Sequence, residues 1–133
     1  MAALLALLGA WSVATPYADG PLGVRVDVLR SVEVVDHVVP GLVIVVAAAG
    51  MWVLFPRSGA GSHAPWLVLA AAVSFLAGLW MTSTHVPLLF QAADAEVPWG
   101  AAIFHSTAGP VVMALSLWPL VRAVRTLEQA EPG

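Results

Sequence analysis

Long apolar stretches alternate with short polar ones along the chain. Residues 38–55 are apolar throughout, residues 65–90 are interrupted mainly by Ser and Thr around 82–84 and by His85, and residues 99–121 form a third stretch. A helix that crosses a membrane needs about 20 mostly apolar residues. Because each stretch is followed by turn-forming or polar sequence, the pattern predicts three membrane-spanning helices.

A fourth apolar stretch, residues 2–15, is shorter than the others. On length alone it could be the apolar region of a signal peptide, with Ser12 and Ala14 as the small residues of a cleavage site. Signal peptides begin with basic residues, however, and no Lys or Arg precedes this stretch. The internal repeat described next also makes it a structural element, so we expect four helices.

The chain contains an internal repeat. The spacing Gly-x-Trp-x-x-x-Thr occurs at residues 9–15 and again 69 positions later, at residues 78–84. A His-x-x-x-Gly spacing begins at His37 and recurs at His105, 68 positions later. Self-similarity of this kind indicates a structural unit that is used twice.

Each unit is expected to be a helical hairpin, covering about residues 1–55 and 66–124, with a short C-terminal tail at 125–133. Both units have an even number of helices and would cross the membrane in the same sense. This implies a parallel repeat about a pseudo-twofold axis along the membrane normal. We therefore predict a single membrane domain over residues 1–133.

The composition agrees with a membrane location, since 60% of the residues are hydrophobic and 10% are charged, against about 25% charged in soluble domains. The predicted fold class is thus all-α, an integral membrane four-helix bundle made of two parallel-repeat helical hairpins. A net charge of −3 without a basic cluster leaves nothing to neutralise phosphates, which argues against nucleic acid as a partner. The chain has no cysteine, which excludes disulfides and thiolate metal sites.

The distribution of arginines predicts the orientation. Basic residues favour the cytoplasmic side, and a cytoplasmic N-terminus would place Arg57, Arg122 and Arg125 inside against Arg25 and Arg30 outside. Six of the eight acidic residues would then lie outside. We expect a multi-pass protein of the plasma (inner) membrane with both termini in the cytoplasm.

The segment at residues 9–17, Gly-Ala-Trp-Ser-Val-Ala-Thr-Pro-Tyr, is followed later by an acidic residue and a Gly that opens an apolar helix. It resembles the SPW repeat of small bacterial and archaeal membrane proteins. The family's Ser-Pro-Trp triplet corresponds to residues 15–17 in the first copy and to residues 84–86, Thr-His-Val, in the second. The resemblance implies a four-helix membrane fold and brings no established activity. It also draws attention to His85, which stands where the repeat would place a proline.

Three histidines and one glutamate form a candidate metal site on the predicted outer side: His37, His85, His105 and Glu33. The repeat makes His37 and His105 equivalent, so they should lie at similar depth, and His85 should close the third helix on that side. Glu33 and His37, four residues apart, could bind a metal from one helix face. His63 belongs to the opposite side.

Imidazole ligands suit copper, zinc and iron, and two opposed histidines could hold a haem through both axial positions. Copper and haem b are therefore the candidate cofactors. The alternative is a structural role, because Pro40 and Pro110 each remove a helical donor close to His37 and His105, whose rings could satisfy the freed carbonyls. Glu33 would then be a carboxylate that the helix dipole stabilises near a helix N-terminus.

No nucleophilic triad, phosphate-binding loop or pair of buried carboxylates is visible, so we do not expect an enzyme. The leading hypothesis is a non-catalytic accessory subunit of a larger membrane complex, such as a respiratory or metal-dependent membrane oxidoreductase. Its partners would be membrane lipids and other integral membrane subunits. The alternative is a small metal- or haem-binding membrane protein. A transporter or channel is disfavoured because no charged residue lies at the predicted bilayer midplane.

Overall fold

The computed structural model describes residues 1–17, 32, 34–54 and 63–130, which contain four α-helices and no strand. The helices are α1 (Ala2–Ala14), α2 (Val39–Leu54), α3 (Ala64–Ala93) and α4 (Trp99–Ala130). A 3₁₀ turn, Thr15–Tyr17, follows α1, and a π-helical turn, Val34–Val38, leads into α2. The predicted all-α bundle is confirmed.

Three segments are long and apolar enough to cross a membrane: Val35–Leu54, Ala64–Ala93 and Trp99–Gln129. They confirm the three spanning helices that the apolar pattern predicts. Helix α1 has 13 residues, about 20 Å at the helical rise, which is less than the hydrocarbon thickness of about 30 Å. It nevertheless belongs to the bundle, because it contributes Leu5, Gly9 and Ser12 to the buried interior.

Two helix ends differ from the prediction. Helix α3 does not close at His85 but continues through Pro87 to Ala93, since one proline removes a single backbone donor and membrane helices tolerate this loss. Helix α4 continues beyond Val121 to Ala130, through most of the segment expected to be a tail. The added turns consist largely of Ala, Arg, Leu, Glu and Gln, which are strong helix formers.

The helices run alternately up and down, and each packs against its neighbours in chain order. The α3–α4 contact is the most extensive, followed by α1–α2 and α2–α3, while α1 and α4 touch less. The C-terminal ends of α1 and α3 therefore lie at the same end of the bundle as the N-terminal ends of α2 and α4. All three predicted histidine ligands belong to this end.

The interior is built from small side chains, and the large ones face outward. The largest fully buried side chains are Leu5, Ile44, Val112, Ser12, Ser74 and Ser116. All six tryptophans are at least 48% exposed. Between lipid-embedded helices there is no hydrophobic driving force, so small residues that permit close packing dominate the contacts.

Two glycine pairs mark the closest helix approaches. A methyl group added to Gly9 would lie 2.7 Å from the carbonyl oxygen of Gly41, on α2. A methyl group on Gly78 would lie 2.9 Å from the carbonyl oxygen of Gly109, on α4. Each pair leaves room only for hydrogen, so the two backbones of each hairpin are nearly in contact. The division of the chain into two equivalent units stays a prediction.

We expect the Gly41→Ala substitution to lower the free energy of unfolding by about 1–3 kcal/mol, the usual range for overpacking. The added methyl would meet the backbone of Gly9 and Val13, at 2.7 and 3.0 Å, which can yield only if the helices separate. Denaturant unfolding of the protein in detergent micelles, followed by circular dichroism, measures the effect.

Gly50→Ala is the matched control, because no atom lies within 4 Å of a Cβ at that position. The control should be neutral or stabilising by up to about 1 kcal/mol through helix propensity. Equal stabilities of the two variants would show that α1 and α2 do not meet at Gly41.

Candidate functional site

Three histidines from three elements converge at one end of the bundle. His37 lies in the π-helical turn before α2, His85 lies eight residues before the end of α3, and His105 lies six residues after the start of α4. At the rise of an α-helix, His85 is about 12 Å from the end of α3 and His105 is about 9 Å from the start of α4. The ring centroids of His37 and His85 are 4.7 Å apart, and that of His105 lies 6.4 and 6.5 Å from them.

The other predicted site residues lie elsewhere. Glu33 is outside the described residues, so its place in the site stays a prediction. His63 precedes α3 at the other end of the bundle, about 33 Å along the helix from His85. This agrees with its assignment to the opposite side.

Backbone hydrogen bonds fix the rings of two histidines. Nδ1 of His85 lies 2.7 Å from the carbonyl oxygen of Met81, and Nδ1 of His105 lies 3.1 Å from that of Ala101. A carbonyl oxygen can only accept, so Nδ1 carries the proton in both rings. In the neutral form, Nε2 of each ring therefore bears a lone pair and points away from its own helix.

His37 and His85 are hydrogen-bonded to each other. Their Nε2 atoms are 3.1 Å apart, and the rings meet edge to face at 81°. Because Nε2 of neutral His85 is an acceptor, His37 is the donor of this bond. A single proton thus lies between two imidazole nitrogens contributed by different helices.

Two serines position the backbone of this pair. Ser12 of α1, which is 2% exposed, donates from Oγ to the carbonyl oxygen of His37 at 3.0 Å. Ser106 of α4 donates to the carbonyl oxygen of His85 at 3.2 Å. All four helices therefore take part in the site, although α1 contributes no imidazole.

The sequence alone suggests Ser12 only as a possible residue of a signal-peptide cleavage site. The buried position of Ser12 could have been recognised from its spacing to Leu5 and Gly9, which places all three residues on one helix face. All three are buried in the bundle.

The predicted hydrogen bond between a histidine ring and a carbonyl freed by a proline is not seen for His105. Pro110 removes the donor for the carbonyl of Ser106, whereas the ring of His105 bonds the carbonyl of Ala101, one turn earlier. His85 likewise bonds its own helix four residues back, at Met81. These bonds orient the rings rather than repair the helix.

Aromatic side chains line the less tightly packed side of the site, between α1 and α4. Trp11 and Phe104 meet edge to face with centroids 6.1 Å apart, and Phe104 lies 5.9 Å from the ring of His105. His85 is only 5% exposed, while His37 and His105 are partly buried. Within this cluster the ring of His85 is therefore the most shielded, and the rings of His37 and His105 are more accessible.

Among the residues that the structure describes, no three side chains are arranged to bind one metal ion in their present conformations. Two imidazole nitrogens are at the spacing of metal ligands, and the third ring lies beside them. The predicted metal site therefore stays a prediction, with a defined pair of atoms at its centre.

No protein-family model matches the chain, and no curated protein or solved structure is similar to it at a significant level. The resemblance to the SPW repeat family consequently gains no support from these comparisons and stays a prediction. The described geometry is thus the basis for any statement about function.

We expect both His85 and His105 to be Nδ1-protonated tautomers at a pH where they are neutral. Nitrogen chemical shifts of ¹⁵N-histidine in the protein in micelles distinguish a protonated from an unprotonated ring nitrogen. His63, whose side chain makes no capping bond at the start of α3, serves as the reference for an unconstrained ring. An Nε2-protonated His85 would contradict the bond to Met81.

Proposed function

We propose that the protein is a non-catalytic accessory subunit of a larger membrane complex, such as a respiratory or metal-dependent membrane oxidoreductase. The supporting observation is its outward-facing apolar surface. Between 28% and 33% of the residues in the most apolar window of each spanning segment are buried within the chain. The remaining apolar surface contacts lipid or the helices of another membrane protein.

One glycine supports a protein partner in addition to lipid. Gly9, Gly41, Gly78 and Gly109 all lie where a Cβ would clash with a neighbouring helix, but Gly50, in the interior of α2, faces open space, as does Gly100 in the first turn of α4. Glycine inside a helix costs about 1 kcal/mol relative to alanine, and packing within the chain does not offset this cost at Gly50. Small residues on a membrane helix allow another helix to approach closely.

The surrounding face of α2 would be the site of that approach. Val46, one turn before Gly50, is 71% exposed, and Val53 and Trp52 follow on the outside of the helix. A glycine bordered by large exposed side chains provides the recess into which a side chain of a partner helix would fit.

We also propose that the histidine end of the bundle faces away from the cytoplasm of a plasma (inner) membrane protein. Arg122 and Arg125 lie near the C-terminal end of α4, opposite the histidines, and basic residues favour the cytoplasmic side. Trp52, Trp66 and Trp118 lie toward that same end and are all exposed, as membrane-interface anchors would be. Both termini would then be cytoplasmic.

The test compares Gly50→Leu with Ala114→Leu, each tagged and extracted from native membranes in mild detergent. Ala114 is an exposed small residue on α4, so its substitution changes the outer surface equally without touching the α2 face. We expect native electrophoresis to show wild type and Ala114→Leu in an assembly with defined integral membrane partners. Gly50→Leu should be released as the free chain.

Migration of the wild-type protein alone would overturn the accessory role. Retention of Gly50→Leu in the assembly would overturn the assignment of the interface to α2. Circular dichroism of both variants shows whether the bundle itself is intact.

A second candidate function, a small metal-binding membrane protein, is favoured by the convergence of His37, His85 and His105. Ionisable side chains within membrane segments are costly and tend to mark functional sites. His37 and His85 suit a small ion better than the two axial positions of a haem, because their Nε2 atoms are 3.1 Å apart. Axial ligands on opposite sides of a haem iron would be about 4 Å apart at ordinary metal–imidazole distances of about 2.0 Å.

A further inference from the structure

We propose that Nε2 of His37 and Nε2 of His85 chelate one first-row transition-metal ion of the copper or zinc type, with His105 as the third ligand. The inference deepens the second candidate function and does not depend on the accessory role. It rests on the placement and orientation of the three rings.

The spacing of the two nitrogens already suits one ion. Metal–imidazole bonds of copper- or zinc-like ions are about 2.0–2.1 Å long. Two nitrogens 3.1 Å apart then subtend an angle of about 100° at the metal, between the square-planar and tetrahedral values. The nitrogen spacing of His37 and His85 therefore matches that of neighbouring ligands of one ion, and binding requires both rings to turn so that their lone pairs face it.

Two of the three rings, those of His85 and His105, are also oriented as metal-binding histidines are. A histidine that binds a metal through Nε2 almost always donates its Nδ1 proton to a carbonyl or carboxylate, which fixes the ring and increases its basicity. His85 and His105 both do so, toward Met81 and Ala101. Their Nε2 lone pairs are thereby directed away from their own helices.

Binding replaces the proton that His37 and His85 share. Without the ion, Nε2 of His37 carries this proton, so binding requires His37 to adopt the tautomer protonated at Nδ1. Because Nδ1 of His37 is buried, the exchange of the proton between the two ring nitrogens requires a transient opening of the ring to water, and it releases no net proton. Asp36, the residue before His37, is only partly exposed and brings a negative charge near the added positive charge.

His105 completes the ligand set only after a side-chain rotation. Its centroid lies 6.4 Å from that of His37 and 6.5 Å from that of His85, and the described residues do not yet present three ligands to one point. A change of rotamer would bring its ring toward the pair at the cost of its hydrogen bond to the carbonyl of Ala101, and water would occupy any remaining position. We therefore expect His37 and His85 to be essential and His105 to strengthen binding.

The test is a titration of the tag-free full chain in micelles with Cu²⁺, followed by metal analysis and electron paramagnetic resonance. Wild type should bind one Cu²⁺ per chain, with hyperfine splitting from two or three imidazole nitrogens. Loss of an outer-shell partner commonly weakens a metal site 10–100-fold, so His37→Gln or His85→Gln should raise the Kd at least about 100-fold. His105→Gln should have a smaller effect.

His63→Gln is the matched control. This histidine lies at the other end of α3, so its substitution should leave copper binding unchanged. Excess Zn²⁺ should compete with Cu²⁺ more weakly than Cu²⁺ itself, and Mg²⁺ should not compete, because imidazole favours both transition-metal ions over Mg²⁺ and binds Cu²⁺ the more tightly. Circular dichroism confirms that each variant remains folded, and Ser83→Ala, an exposed position on α3, reports the effect of a neutral surface change.

Absence of stoichiometric copper in the wild-type protein, or unchanged binding by His37→Gln, would overturn the proposal. Binding that is lost only in His63→Gln would do the same and would indicate a surface site. These outcomes are distinct from those of the accessory-subunit test, because a chain that migrates alone can still bind copper, and an assembled chain can lack it.

Discussion

The close backbone contact between paired helices is the constraint on which the rest of the structure depends. Gly9 meets Gly41 and Gly78 meets Gly109 at distances that leave no room for a side chain. In a bilayer, where lipid chains are as apolar as leucine, helices associate by such close packing and by interhelical hydrogen bonds rather than by hydrophobic burial. The same constraint explains why the interior holds Ala, Gly and Ser while all six tryptophans face outward.

This packing also determines where polar side chains can meet. Gly41 lies one helical turn after His37, so the α1–α2 contact holds the start of α2 and lets Ser12 reach the carbonyl of His37. On the other hairpin, the contact at Gly109 holds Ser106 next to the carbonyl of His85. The histidine pair therefore results from two hairpins that are each closed near the same end.

The fold was largely predictable from the sequence, but the site was predictable only in part. Apolar runs predict the spanning helices because the bilayer imposes both their length and their composition. The pairing of His37 with His85 was not predicted, since the repeat relates His37 to His105 and places a helix end at His85. It depends on which helices are neighbours and on the ring orientation that the carbonyl of Met81 imposes on His85, and neither is visible in local sequence. The role of Ser12 depends on the same tertiary contact.

The most direct test of this account is the distance between the imidazole nitrogens of His37 and His85 in a lipid bilayer. Nitrogen–nitrogen recoupling by solid-state nuclear magnetic resonance on ¹⁵N-histidine protein in liposomes measures it, with His37→Gln to assign the signal. We expect a short contact of about 3.1 Å in the wild-type protein that disappears in the variant. A distance beyond about 5 Å, outside hydrogen-bond range, would contradict it.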